Sequence, residues 1–174
     1  MSNTLQTPRL TLRKLAIDDA TMMFQNWTKS EEATKYLSWP PHSAIEMTEQ
    51  RLLSRLQEDN EEWGIVLTET QELIGMIDVV QEKPETQTKT IGYVLGENFW
   101  NKGYMTEALE AVITYLFEHT DVNRIEAAHD TANPGSGKVM AKAGMTFEGV
   151  LRQSGRNNQG IVDMAFYSLL RSEI

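Results

Sequence analysis

TIGYVLGENFWNKGYMTEALEAVITYLFEH, residues 90–119, decides the fold. Residues 90–95 read as a strand. Met105, Ala108, Leu109, Val112 and Leu116 recur at helical spacing, which predicts a helix over residues 103–119. Between them, residues 96–103 must turn the chain. A strand that feeds a turn opening a helix presents several unpaired N–H groups in one direction. The helix dipole adds positive potential at that point. Such a turn can hold phosphate oxygens. Gly103 allows close backbone approach, Lys102 adds charge and Thr106 adds a hydroxyl. An ordinary tight turn that binds nothing fits the same residues, and neither G-x-G-x-x-G nor G-x-x-x-x-G-K-[ST] is present.

Outward from this stretch, residues 125–129 read as a short strand. Strand, helix and strand over residues 90–129 therefore form a crossover unit, expected to be parallel and right-handed. Upstream, residues 9–13 alternate polar and apolar, the pattern of a first strand. Asp18 or Asp19 can cap a helix running to about Trp27, with Met22, Met23 and Trp27 available for burial. Residues 38–42, SWPPH, must be a loop, since paired prolines enter neither a helix interior nor a ladder. Ser43 with Glu46 is a capping-box pattern for a helix to about Asp59. Residues 63–67 and 73–80 read as strands, and the second is apolar on both faces, so it is central. Residues 81–89 are polar, contain Pro84 and read as a hairpin loop. Downstream, residues 136–143 form a short helix stopped by Gly144. Residues 147–151 and 161–169 close the sheet as an antiparallel pair around residues 154–158. The expected architecture is α/β (α+β), with a mixed, mostly antiparallel seven-stranded sheet and about four helices on its faces. Residues 1–174 form a single domain of a size that supports one core.

Composition narrows the chemistry. With no cysteine, disulfides, thiolate metal sites and a catalytic thiol are excluded together. His42, His119 and His129 lack finger or helix-face spacing, so no metal site is expected. The net charge of -9 makes duplex nucleic acid a poor partner. A cationic substrate is compatible with it, but the plainer reading is acidity for solubility. No apolar run approaches the roughly 20 residues that span a bilayer. The opening MSNTLQTPRL lacks the basic-then-apolar layout of a signal peptide, so cytoplasmic residence and no membrane partner are expected.

Two motifs resemble a known family. WNKGYMTEAL after IGYVL resembles the acyl-CoA motif of the GNAT N-acetyltransferase superfamily, [QR]-x-x-G-x-[GA]. Asn133-Pro134-Gly135-Ser136 followed by Lys142-Ala143-Gly144-Met145 resembles its second motif, N-x-x-S with K-x-G-[FM]. The opening TPRLTLRKL and the closing DMAFY, residues 163–167, resemble the branch that holds the ribosomal-protein alanine N-acetyltransferases. The sequence departs from the pattern at Trp100, where Gln or Arg is usual, and at Met105, where Gly or Ala is usual. Neither change removes a backbone N–H. The resemblance implies acetyl-CoA as co-substrate. By position, Lys102, Gly103, Tyr104, Met105 and Thr106 would cradle its pyrophosphate. Val94 and Leu95 would pair their backbone with pantetheine, a form of strand addition. Asn133 would hydrogen-bond the cofactor from the other side, with Ser136 beside the sulfur. Relatives of this kind often form homodimers.

Acetyl transfer to an amine needs a neutral nucleophile, a proton acceptor, oxyanion donors and an acid for the leaving thiolate. Without cysteine, direct attack in a ternary complex is the simplest route. The family's usual acid, a tyrosine in the second motif's helix, falls at Met140. Ser136 is the nearest hydroxyl and is also a natural N-cap; Tyr104 is less well placed. The usual base, a glutamate on the fourth strand, is absent from residues 89–95. Asp78, a carboxylate in an apolar run, is the first substitute. His129 is the second, with a suitable unperturbed pKa, and Glu126 is the third. Each has a bland alternative: a strand-end residue, a satisfied structural histidine and a surface position. An α-amine with a pKa near 8 leaves about a tenth neutral at pH 7, whereas a lysine near 10.4 leaves a few parts in ten thousand. The missing glutamate therefore leans toward the N-terminal amine of a protein or peptide. A small amine (polyamine, amino acid or aminoglycoside) and a non-catalytic acyl-CoA-binding module are the alternatives. The loops expected to shape the acceptor groove are residues 39–43, 81–89 and 154–160.

Overall fold

A computed structural model describes residues 3–174. It contains one eight-stranded sheet in the order β1-β2-β3-β4-β5-β6-β8-β7. The strands are β1 (Leu5–Gln6), β2 (Leu10–Arg13), β3 (Glu62–Leu67), β4 (Leu73–Lys83), β5 (Thr88–Leu95), β6 (Arg124–Asp130), β7 (Thr146–Asn157) and β8 (Gly160–Leu170). The helices are α1 (Ala20–Met23), α2 (Glu31–Thr34), α3 (Ile45–Leu56), α4 (Tyr104–His119) and α5 (Pro134–Lys142). Every pairing is antiparallel except β5 with β6, which α4 connects as a crossover. The expected mixed, mostly antiparallel sheet is present, with one strand more than seven. The extra strand is the two-residue β1, too short to carry a pattern.

Apolar residues on both faces of β4, offset by a bulge near Ile74, explain its central place. Ile74 and Ile77 face one apolar cluster, with Leu109, Val112 and Leu116 of α4. Leu73 and Met76 face the other, with Met23, Trp27 and Leu52 from the α1 and α3 side. A strand apolar on both faces must be covered on both, and here helices cover it.

Several local expectations are corrected. The segment at residues 81–89 is not a long loop. β4 continues to Lys83, a 3-10 turn spans Pro84–Thr86, and β5 starts at Thr88. Its polar residues belong to a ladder that runs beyond the apolar core, where burial no longer selects side chains. The Ser43–Glu46 capping box does not form. Ala44 is the N-cap of α3, and the Ser43 hydroxyl points instead to the Met47 sulfur at 3.4 Å. Ser136 does not cap α5, because Pro134 starts the helix and Asn133 takes the cap position. Proline suits the first helical position, since its missing N–H would be unpaired there. The helix ending near Trp27 is irregular: a 3-10 turn Ile17–Asp19, α1, then a π turn Phe24–Thr28. A short α2 follows, capped by the Ser30 side chain accepting from the Ala33 N–H. β7 runs through Ser154 to Asn157, with register shifts.

One feature of the sheet sets up the site. β5 and β6 pair only at Thr88–Arg124, Lys89–Ile125 and Thr90–Glu126. Beyond these rungs the two parallel strands continue unpaired with each other, β5 to Leu95 and β6 to Asp130. Backbone polar groups along such a gap are open to a ligand. Among the described residues, no helix is long and apolar enough to cross a membrane.

Candidate active site

The gap between β5 and β6 opens into a cleft of about 520 Å³. Its floor is the end of β5, its rim the turn before α4 and its far wall the start of α5. The turn is held by contacts distant in sequence. The Trp100 indole N–H donates to the Leu95 carbonyl at 2.8 Å, pinning the turn to β5. Asn101 and Gly103 both adopt left-handed backbone, with φ of 60° and 79°. A left-handed residue at the head of α4 lets the chain reverse into the helix, and only glycine does so without a side-chain penalty. The first intrahelical bond runs from the Glu107 N–H to the Gly103 carbonyl, 3.1 Å. The amides of Tyr104, Met105 and Thr106 precede it and have no helical partner. Met105 sends its side chain into the core, so its place in the turn is a backbone place.

Arg9 completes this end. Its guanidinium donates to the Lys102 carbonyl at 2.9 Å, pairs with Glu107 at 2.7 Å and lies over the Tyr104 ring, 4.5 Å from its centroid. Glu107 also accepts from the Thr7 hydroxyl and the Arg9 N–H, at 2.6 and 2.9 Å. Burial alone would raise the Glu107 carboxyl; these donors and the Arg9 charge outweigh it and hold the group below its ordinary range. The acid in the first turn of α4 is thus neutralised by a cation beside a turn suited to anions. The Lys102 ammonium donates to the Asn98 carbonyl at 3.0 Å.

On the far wall, the Asp130 carboxylate accepts from the Ala132 N–H and the Asn157 amide, at 2.8 and 2.7 Å. This fixes the loop that presents Asn133, whose side chain makes no capping bond. The Ser136 hydroxyl lies 2.8 Å from the Tyr93 hydroxyl, which also donates to the Ser136 carbonyl at 3.1 Å. That contact bridges the gap between β5 and α5. Burial pushes the Tyr93 phenol well above its ordinary pKa, so it stays protonated. Tyr36 donates to the Ala132 carbonyl at 2.9 Å, tying the segment after α2 to the same loop.

A second cavity of about 200 Å³ borders the first. The two share Leu37, Tyr93 and Val94. Asp78 lines the second cavity and pairs with Arg55 at 2.5 Å. Burial raises the Asp78 carboxyl above its ordinary value, against the pull of Arg55 and Arg51. Arg51 lies over the Trp39 ring, 4.8 Å from its centroid. The Asn158 amide donates to the Thr34 and Trp39 carbonyls, at 2.8 and 2.9 Å, tying the turn between β7 and β8 to the cavity's rim.

The structure brings Val94, Leu95, Gly103, Tyr104, Met105, Thr106, Asn133 and Ser136 onto one cleft. Lys102 stands beside them on the turn. Asp78 is in the adjoining cavity. His129 lines neither: its Nδ1 lies 2.7 Å from the Asp130 carbonyl, and its other edge packs against Gly137. Glu126 is engaged by Lys83, Arg124 and Thr90 at the last β5–β6 rung, which holds its carboxyl below the ordinary value despite burial. Arg9, Tyr93 and Tyr36 escaped the sequence reading because their partners lie far along the chain; His42 entered it only as a possible metal ligand, since its contact with Thr48, six residues on, carries no motif. Among the described residues, no group of three or more metal-ligating side chains converges.

A family model described as "Acetyltransferase (GNAT) domain" matches residues 9–146. An uncharacterized N-acetyltransferase, p20 of Bacillus licheniformis, is 33% identical over 174 residues, covering 98% of this chain and 97% of its own. The ribosomal-protein-serine acetyltransferase of Escherichia coli is 31% identical over 97 residues, 56% of this chain and 54% of that one. Among solved structures, a GNAT-family acetyltransferase from Bacillus anthracis superposes with a TM-score of 0.88 at 26% identity, covering 98% of this chain and 100% of the other.

Proposed function

As the chain belongs to the GNAT family of acetyl-CoA-dependent acetyltransferases, we propose that it acetylates the N-terminal amine of a protein or peptide by direct attack in a ternary complex. The observation that carries this reading is the pair of cavities meeting at Tyr93 and Val94. Two substrates can occupy them at once, with the reacting groups at the shared wall, which is what proximity catalysis needs. The cleft is the cofactor side. The open amides of Tyr104, Met105 and Thr106, with Lys102 and Gly103, hold the pyrophosphate. The end of β5 at Val94 and Leu95 offers backbone groups to the amides of the pantetheine arm. Asn133 reaches it from the α5 side, and the Ser136 hydroxyl, coupled to Tyr93, donates toward the sulfur. Acetyl-CoA supplies the activated acyl group.

The smaller cavity is the acceptor side. Asp78 gives it a carboxylate able to draw in an ammonium, and aromatic and thioether walls (Trp27, Trp39, Met76) exclude water. His129 and Glu126, bound elsewhere, take no part in this scheme. A cavity of about 200 Å³ lies below the roughly 300–1,000 Å³ of ordinary ligand pockets, so it suits a single small group such as a peptide's first residue. That size also admits a free small amine, the second reading. A panel of peptides with different first residues, set against amino acids and polyamines at equal concentration, separates the two. Higher kcat/KM on peptides is expected. Faster turnover of a free small amine than of every peptide contradicts the peptide assignment.

A further inference from the structure

We propose that His42 is the base that takes the proton from the acceptor amine. This rests on the acetyltransferase reading above and adds to it the group that reading lacks. His42 lies in the loop before α3 and lines the acceptor cavity, yet only 8% of its surface is exposed. Its Nδ1 is 2.7 Å from the Thr48 hydroxyl, which is 2.7 Å from the Thr28 hydroxyl. Its backbone N–H donates to the Thr28 carbonyl at 2.7 Å, and its ring packs on Trp39. The imidazole is therefore fixed in place and position. We assign Nδ1 as the donor into the Thr48–Thr28 chain, the tautomer that leaves the lone pair on Nε2. No partner for Nε2 is found among the described residues, and no buried side-chain nitrogen or oxygen is left unpaired. Nε2 is therefore not sealed from solvent, and the ring that carries it lines the acceptor cavity.

The charged and titratable groups around this ring are few. Arg51 and Arg55 come from α3, Asp78 from β4 and Tyr93 from β5; the π turn contributes only Thr28 and Trp27. Burial and the Arg51 charge both push the imidazole below its ordinary pKa, so it is neutral near pH 7. Asp78, by contrast, has one oxygen on Arg55. It fits as the ammonium's counter-charge, with His42 as the proton acceptor. The steps balance. One N–H bond of the ammonium breaks and its proton moves to Nε2. The freed lone pair forms the N–C bond as the C–S bond breaks, and its electron pair leaves on sulfur. The second N–H proton neutralises the thiolate through the Ser136–Tyr93 hydroxyls. The proton on Nε2 passes to water, so one proton is released per turnover.

The test is the pH profile of kcat/KM with an α-amine peptide, between about pH 5.5 and 9.5, for wild type, His42→Gln and Asp78→Asn. The wild type should rise through an inflection below the free-imidazole value of 6.5 and stay level to about pH 8. In His42→Gln the rate should follow the neutral fraction of the free amine. It should fall about tenfold at pH 7 and recover near pH 9, because about a tenth of an α-amine is neutral at pH 7. Asp78→Asn should keep the inflection. An inflection that survives in His42→Gln, a loss uniform across pH, or an inflection removed by Asp78→Asn overturns the proposal while the acetyltransferase reading stands. No transfer by the wild type to any amine overturns both. Should His42→Gln fail to fold, Thr48→Val must shift the inflection, and an unmoved profile is equally adverse.

Discussion

Replacing Gly103 by glutamate tests the turn that anchors the cofactor side. Gly103 has φ 79° and ψ 4°, so any L-residue there meets the left-handed penalty of about 1–2 kcal/mol. Space is not the obstacle, since an added Cβ would meet only an Arg9 terminal nitrogen, at 3.3 Å. The decisive effect is charge. A carboxylate about 4 Å from a phosphate oxygen costs about 4 kcal/mol at an effective dielectric constant near 20. Pairing of the new carboxylate with Arg9 can return about 1 kcal/mol, as exposed ion pairs do. The net, about 3 kcal/mol, is a loss of about a hundredfold in CoA affinity. Titration calorimetry with CoA measures it. Gly103→Ala separates strain from charge. It carries the same backbone cost, should lower Tm by about 2–4 °C per kcal/mol, and should keep most of the affinity. Equal CoA affinity for Gly103→Glu and wild type refutes the placement of the pyrophosphate on this turn.

Three further outcomes follow from the same geometry. Arg9→Ala should weaken CoA by about 1 kcal/mol, since it strips Glu107 of its counter-charge beside the turn; calorimetry at two salt concentrations should show the deficit shrinking as salt rises. Glu148 is held down to about 2 by Arg124 and Ser168. A carboxyl with a depressed folded pKa adds stability that is complete above its unfolded value of 4.5 and is lost as pH falls toward 2. Because Glu148 is partly exposed, the gain is under about 1 kcal/mol; urea melts of Glu148→Gln should match wild type near pH 2 and fall below it above pH 5. Double-reciprocal plots against both substrates should intersect, as a ternary complex requires; parallel lines would mean a covalent acetyl-enzyme, for which the chain has no cysteine.

Much of the frame was legible in the sequence because burial imposes period. The helical spacing of Met105, Ala108, Leu109, Val112 and Leu116 matches the face that α4 buries, and the two-sided apolar run of β4 matches its covered position. The hairpin beyond Val80 reads as loop because its residues stand outside the core, where polar side chains fit a strand as well as a turn. The cofactor-side residues were legible through local motifs, since a turn and a helix start are each a few residues long. The acceptor side was not. Asp78 stood out as a carboxylate in an apolar run, but Arg55, its partner, is 23 residues away. The Arg9 contact to the turn spans 93 residues and the Tyr93–Ser136 contact 43. His42 meets Thr28 only because the loop before α3 folds back onto the π turn. No single stretch of chain records these meetings.

The most direct test is release of free thiol from acetyl-CoA in the presence of a peptide with a free α-amine, beside the same peptide with that amine blocked. Steady thiol release with the free amine alone, accompanied by acetyl on the peptide's first residue, is the result expected. CoA binding without turnover on any peptide or small amine would contradict it and leave the chain a protein that holds acyl-CoA without transferring it.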